Sequence, residues 1–268
     1  MRARWHPPRS SKGFVLLHTL WLLLTASALV SGLLVLASRT SADFALAERE
    51  TRRELAQESA AEFVIHDIVT RGARSRWLRP PSVSDEVDID GQRIALSVQN
   101  VAGLVDAGSG DTQVLASLLS GTLETAGATV LARIDAARRR TGESARPFAT
   151  YAELRAITHV PDPTFGCLYR HVTLFSGRTE PDPLLVTPGL ATLLQLNRPE
   201  SQPPSALEAE ASPAGATYRI EAGLAPSGAD PGGQVLSIEV TITGRLRPSH
   251  LIRSWQFRPR DAKEEDCS

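Results

Sequence analysis

Residues 12–37 read KGFVLLHTLWLLLTASALVSGLLVLA, and residues 45–71 read ALAERETRRELAQESAAEFVIHDIVTR. From Phe14 to Ala37 there is no Asp, Glu, Lys or Arg, and the clearly polar members are His18, Thr19, Thr25, Ser27 and Ser31. As a helix this run reaches roughly 36 Å, against a bilayer hydrocarbon core of about 30 Å. It is therefore long enough to cross a membrane with some tilt. Arg2, Arg4, Arg9 and Lys12 precede it with no acid among them, so the excess of basic residues places 1–13 in the cytoplasm and the rest outside it. The apolar core of a cleaved secretory signal is shorter, about 7–15 residues. Nothing interrupts this run before Arg39, so it reads as a retained anchor.

The second stretch continues the helix. Between Ser38 and Arg71 there is neither Gly nor Pro, and Ala, Glu, Arg and Leu dominate, all good helix formers. Phe44, Leu55, Phe63, Val64, Ile68 and Val69 fall mostly at helical spacing, while Arg49, Glu50, Arg53 and Glu54 supply a charged face. Gly72 is the expected stop. A single helix over 14–71 would be about 87 Å long, half membrane-spanning and half amphipathic.

The averages conceal this division. The chain has 268 residues with 29 Lys+Arg, 30 Asp+Glu and a formal net charge of −1. That balance argues against a nucleic-acid binder, and the composition argues against wholesale disorder. The leader carries +4, which leaves 25 bases against 30 acids in the remainder. Two cysteines, Cys167 and Cys267, are too few for a disulfide framework or a four-cysteine zinc site. Outside the cytoplasm they are able to pair, and the sequence leaves that pairing open.

Beyond the helix the chain alternates between β and α patterns. Asp90-Gly91 is a hairpin turn signal, followed by Ile94, Leu96 and Val98 alternating with Ala95, Ser97 and Gln99. Asp111 is a suitable N-cap for a helix over 112–126, and a second helix covers roughly 129–140, where Arg138, Arg139 and Arg140 read as a solvated C-terminal end. Thr150 and Glu153 have capping-box spacing at the start of a third helix. Seven of the 18 prolines lie between 176 and 216, which reads as loop with one short helix near 189–196. Leu236, Ile238, Val240 and Ile242 alternate with Ser237, Glu239, Thr241 and Thr243, the pattern of a half-buried strand. Tyr218–Ala222 precedes it, and Trp255 and Phe257 share one face of a third strand. The fold class expected is α+β: a long N-terminal helix packed on an antiparallel sheet.

No enzyme motif is present: H-E-x-x-H, G-x-S-x-G, P-loop and C-x-x-C patterns are all missing. The six histidines are scattered, and His66 reads as a packed or solvated helix residue.

The junction Lys12-Gly13-Phe14 resembles a type IV prepilin or pseudopilin signal, a short basic leader and a Gly-Phe border to an apolar helix. The resemblance implies cleavage after Gly13 by a prepilin peptidase and N-methylation of Phe14. The fifth mature position, usually Glu in that family, is His18. A carboxylate unpaired in an apolar bundle is costly, so a subunit with no neighbour ahead of it, at the filament tip, is the one that tolerates its loss. Gln99–Asp106 (QNVAGLVD), Arg146–Leu154 (RPFATYAEL) and Cys167–Gly177 resemble, in that order, segments of the type II secretion minor pseudopilin GspK. The last of these is where that family leaves its helical insertion for the sheet.

The resemblance implies a pilin-like fold with these parts: leader 1–13, transmembrane spine 14–37, periplasmic spine 38–71, first β part 72–111, helical insertion 112–165, second β part 166–260 and a charged, frayed tail 261–268. It implies a non-enzymatic tip subunit in the inner membrane with a periplasmic head. Its partners would be minor pseudopilins of the I and J kind and the major pseudopilin, and no nucleic acid. No cofactor is required. Calcium binding stays open, with Asp106, Asp111, Asp162 and Asp182 as loop candidates and no ligand assigned. The alternatives are a type IV pilus minor pilin and a single-pass membrane-anchored periplasmic enzyme.

Overall fold

The structure, a computed structural model, describes residues 12–123, 126–141, 146–196, 213–225 and 233–260. Helix α1 runs from Lys12 to Arg71 without a proline, and without a charge from Phe14 to Ala37. The chain divides into two compact units, one up to Arg52 and the other from Arg53 onward.

In the second unit, α1 contributes Ala56, Ala60, Ala61, Val64, Ile65 and Ile68 to a core shared with a five-stranded antiparallel sheet. The sheet order is β1 (Ser82–Ile89), β2 (Gln92–Asn100), β5 (Thr217–Leu224), β6 (Gln234–Ile242) and β7 (His250–Pro259). Ile94, Leu96 and Val98 meet Tyr218, Ile220 and Ala222, and these meet Leu236, Ile238, Val240 and Ile242, all on the face turned to the helix. The packing face of α1 differs from the set read by spacing. Val64 and Ile68 are buried and Val69 partly so. Phe44, Leu55 and Phe63 instead remain 72%, 55% and 44% exposed. Alanines take the contact positions because a methyl lets the helix lie close to the sheet. Trp77 closes the end of this core and is fully buried. The β1–β2 hairpin turns at Asp90 (φ 51°) and Gly91 (φ 78°), both positive as a type I′ turn requires.

The segment between β2 and β5 builds a second core. It contains β3 (Val105–Asp106), α2 (Thr112–Leu123), α3 (Gly127–Thr141), α4 (Tyr151–Thr158), α5 (Asp162–Tyr169), β4 (Val172–Thr173) and α6 (Pro188–Leu193). Leu115, Leu118, Leu119, Val130, Ile134 and Leu154 are among its buried members. Asp111 caps α2, accepting from the Gln113 and Val114 amides. Thr150 caps α4 by accepting from Glu153 N, and Glu153 reaches back to Ala149 N at 2.7 Å.

Two boundaries differ from expectation. The helical part does not end at 165: α5 crosses that point, and Leu168, Tyr169, Val186 and Leu190 belong to the helical core. Nor does Cys167–Gly177 return to the main sheet. Its two-residue strand β4 pairs in parallel with β3, outside the five-stranded sheet. Residues 261–268 lie outside the described residues.

Gly103 sits where the chain leaves β2, and a Cβ there would run into the Leu185 carbonyl of a segment held by Asp182 N donating to Ala102 O at 2.8 Å. Backbone against backbone leaves no flexible atom to yield. Gly103→Ala is therefore expected to cost about 1–3 kcal/mol, seen as a lower unfolding midpoint in denaturant; an unchanged midpoint contradicts the close approach.

Candidate functional site

Phe14–Val35 is a 22-residue helical segment long and apolar enough to cross a membrane, and none of it is buried by the rest of the chain. Both of its threonine hydroxyls are satisfied within the helix. Thr19 donates to Leu16 O at 3.0 Å, and Thr25 donates to Trp21 O and Leu22 O. This is what a polar group in hydrocarbon needs, since no water is there to bond it. Phe14 and His18 lie one turn apart with ring centroids 5.6 Å apart and an interplanar angle of 23°. Gly13 is in the same helix, and the leader residues 1–11 lie outside the described residues.

The sheet's second face was expected to be solvated, and it is not. Ser237 and Glu239 are fully buried, and Arg219 and Thr217 nearly so, because the helical part covers that face. Arg219 and Glu239 are direct cross-strand neighbours on β5 and β6. Arg219 donates from Nε and Nη2 to Glu239 Oε1 at 2.9 and 2.6 Å. Its remaining donors reach the helical part: Nη1 to Tyr169 O at 2.6 Å, and Nη2 to Val172 O at 2.6 Å and Tyr151 Oη at 2.8 Å. Tyr151 donates in turn to Glu239 Oε1 at 2.7 Å, and Tyr169 Oη pairs with Ser237 Oγ at 2.8 Å. The guanidinium carbon also lies 4.2 Å from the Tyr169 ring centroid. Planarity and five donors suit arginine, and not lysine, to this bridging position.

Electrostatics follow the burial. Desolvation raises the Tyr151 and Tyr169 hydroxyls above the ordinary phenol range despite the opposing field of Arg219. Desolvation alone pushes Tyr218 up to about 12. Burial disfavours the Arg219 charge, but Tyr151, Tyr169, Glu239 and Glu221 more than offset it, so its pKa is raised. Burial likewise opposes ionisation of Glu221, yet Arg258 and Arg219 outweigh it and hold the carboxyl below its ordinary range; Arg258 Nη2 is 2.6 Å from Glu221 Oε1.

The four loop carboxylates all have structural work. Asp106 is buried and accepts from Gly108 N, Ser109 N, Ser176 Oγ and Gly177 N, which laces β3 to the loop after β4. Asp111 caps α2. Asp162 pairs with Arg155, and Asp182 accepts from Leu184 N. Among the described residues no three His, Cys, Asp or Glu side chains are grouped to hold a metal ion. His66 is exposed on α1. Arg138 departs from its expected solvation: Nε donates to Ala107 O at 3.1 Å, and burial lowers its pKa. Cys167 is disulfide-bonded, and Cys267 lies outside the described residues.

The Arg219–Glu239–Tyr151 cluster escaped the sequence reading. Arg219 and Glu239 alternate with apolar neighbours just as solvent-facing residues do. The one available signal was their opposite charge on adjacent strands, and it does not report burial.

No protein-family model matches the chain, and no curated protein matches it. Among solved structures, a chain of the GspK–GspI–GspJ complex from the enterotoxigenic Escherichia coli type 2 secretion system is similar to it. The two are 10% identical, with a TM-score of 0.48, over 79% of this chain and 97% of that one.

Breaking the buried pair by Arg219→Met or Glu239→Leu alone is expected to cost about 3–5 kcal/mol, and the double variant to regain much of it. A chemical-denaturation double-mutant cycle checks this, and additive losses contradict it. The sequence has three tyrosines, Tyr151, Tyr169 and Tyr218, and each is neutral and buried in the fold. A raised folded pKa gives stability that is complete below the unfolded value of about 10 and is lost as pH climbs through the folded one, about 12 for Tyr218. Phenolate absorbance should therefore stay flat through pH 10 and rise only with loss of structure. A tyrosine titrating reversibly near pH 10 in folded protein contradicts the burial.

Proposed function

We propose that this chain is a minor pseudopilin of the GspK kind, the tip subunit of a type II secretion pseudopilus. It would prime pseudopilus assembly for export of proteins across the outer membrane. The observation that supports this most is the single helix α1, Lys12–Arg71, with an exposed apolar segment from Phe14 to Val35 and a sheet-packed segment from Ala56 to Ile68. A soluble enzyme has no use for an unburied, predominantly apolar segment of 22 residues. A plain membrane stalk has no use for the exposed Phe44, Leu55 and Phe63 beyond the span.

In this reading a prepilin peptidase cuts after Gly13 at the cytoplasmic membrane face, where glycine leaves the scissile bond unhindered. The new amine on Phe14 is then methylated. The apolar helix remains in the inner membrane, and the head lies in the periplasm. Partner helices from minor pseudopilins of the I and J kind, and then the major pseudopilin, cover α1. His18 in place of the usual Glu fits a subunit that has no amine ahead of it to neutralise. The helical part between β2 and β5 adds bulk to the head that obstructs addition above it. The role is non-enzymatic and requires no cofactor; calcium would need ligands other than Asp106, Asp111, Asp162 and Asp182 as they now stand.

Mass spectrometry of the membrane-extracted chain is expected to show an N-terminus at methylated Phe14. Gly13→Leu is expected to abolish that processing and secretion together. An intact leader on functional protein, or secretion that persists with unprocessed Gly13→Leu, overturns the assembly role. Processing with loss of pilus formation in place of secretion redirects it to a type IV pilus.

A further inference from the structure

The last strand of the sheet, β7, pairs with β6 on one side and, among the described residues, with no strand on the other. Such an edge leaves a row of backbone N–H and C=O groups open, and proteins blunt it with charge or cover it. By register Ile252 stands opposite Val240, Trp255 opposite Ile238 and Phe257 opposite Leu236. Those three β6 residues are buried in the core shared with α1. The helix-facing apolar surface therefore runs on into β7. Phe257 is still partly buried against that core, but Ile252 and Trp255 are exposed, as is Leu251 on the opposite face.

The charge along this edge is one-sided. From Thr241 to Arg260 there are five arginines and neither Asp nor Glu. Two are committed: Arg258 pairs with Glu221, and Arg260 donates to the Leu224 carbonyl. The carboxylate of the adjoining strand, Glu239, belongs to Arg219. Arg245, Arg247 and Arg253 are exposed and form no ion pair among the described residues; Arg253 Nε donates to Thr241 Oγ1 at 2.9 Å. The turn that carries Arg245 and Arg247 is fixed. Thr243 N donates to Ser249 O at 3.0 Å, Thr243 Oγ1 donates to Pro248 O, and Arg245 N donates to Thr243 Oγ1 at 3.1 Å. Between the two arginines it holds out Leu246, 98% exposed. A partner meets this surface already ordered, which lowers the entropic cost of binding.

We propose that β7 is a docking edge for an extended acidic segment of another protein, which adds to the sheet as a further strand. Its backbone completes the open ladder, and its apolar side chains cover Ile252 and Trp255. Its carboxylates meet Arg253 and, past the strand end, Arg245 and Arg247. Tryptophan and arginine are the residue types that carry most binding energy at interfaces. A lipid surface offers anions but nothing to pair the backbone of the edge. A second copy would offer its own acidic edge, β1, where Asp85 is already held by Arg76 and Asp88 accepts from Gly91 N. Such head-to-tail pairing would also leave β7 open on the next copy. The docking edge is independent of the role proposed for α1.

The test uses the full chain in neutral detergent, with a strand-length peptide alternating valine and glutamate as the probe. Binding is expected to slow hydrogen exchange several-fold at the β7 amides that point away from β6. The triple variant Arg245→Gln, Arg247→Gln, Arg253→Gln is expected to weaken binding about tenfold, as loss of three exposed ion pairs would, with an unchanged unfolding midpoint. The same peptide with every backbone amide methylated keeps its charge and is expected not to bind. Absence of binding overturns the proposal, as does binding that spares the β7 amides, survives either change, or is matched by a valine–lysine peptide. Protection of the outward β7 amides that grows with protein concentration assigns the edge to a second copy. Protection by phosphatidylglycerol added to the micelles, with none from the peptide, assigns it to lipid. Either result overturns the proposal.

Discussion

Arg219 is the point on which the head of this protein turns. Central strands β5 and β6, buried on both faces, need their polar alternation to be answered from within, and one guanidinium answers most of it. It pairs with Glu239 across the strands and donates to the backbone at Tyr169 and Val172 and to the Tyr151 hydroxyl. A buried ion pair adds little stability compared with a well-packed apolar substitute, but a broken one is expensive. What the arginine supplies is placement. Its donors have fixed directions, so the helical part seats on the sheet in one register, where a purely apolar contact would admit sliding.

With the middle of both sheet faces covered, most of the exposed apolar surface lies on α1, and the rest at Leu246 and, on β7, at Leu251, Ile252 and Trp255. Ala56, Ala60 and Ala61 turn inward, while Leu55 and Phe63 face outward from the same turns. No residue of the segment Phe14–Val35 is buried. An element that is apolar at its N-terminal half and two-faced in its other half needs lipid, then neighbouring helices. The proposed filament-subunit role rests on this need.

Much of this was legible from the residues. The charge-free run 14–37 and the stretch 38–71 without Gly or Pro dictate α1, Asp90-Gly91 dictates the hairpin, and Asp111 and Thr150 cap the helices expected of them. The illegible parts have one physical cause: local pattern does not reveal what packs on a surface. Glu239 and Ser237 look solvated because strand alternation reports only one face. Arg138 looks like a helix-end charge until the Ala107 carbonyl arrives beneath it. Phe63 has the spacing of a core residue but faces away from the sheet, because alanine fits closer. The helical part extends past 165 because α5 and α6 complete a core built by residues far earlier in the chain.

The outward face of α1 offers the most direct test of assembly. A photo-crosslinking amino acid at Leu55, with one at the exposed His66 for comparison, would be irradiated in membranes that hold the complete secretion machinery. Crosslinks from Leu55 to other subunits carrying an apolar N-terminal helix are the result predicted here. Crosslinks to lipid alone, or none above the level of an inward position such as Ala60, would contradict it.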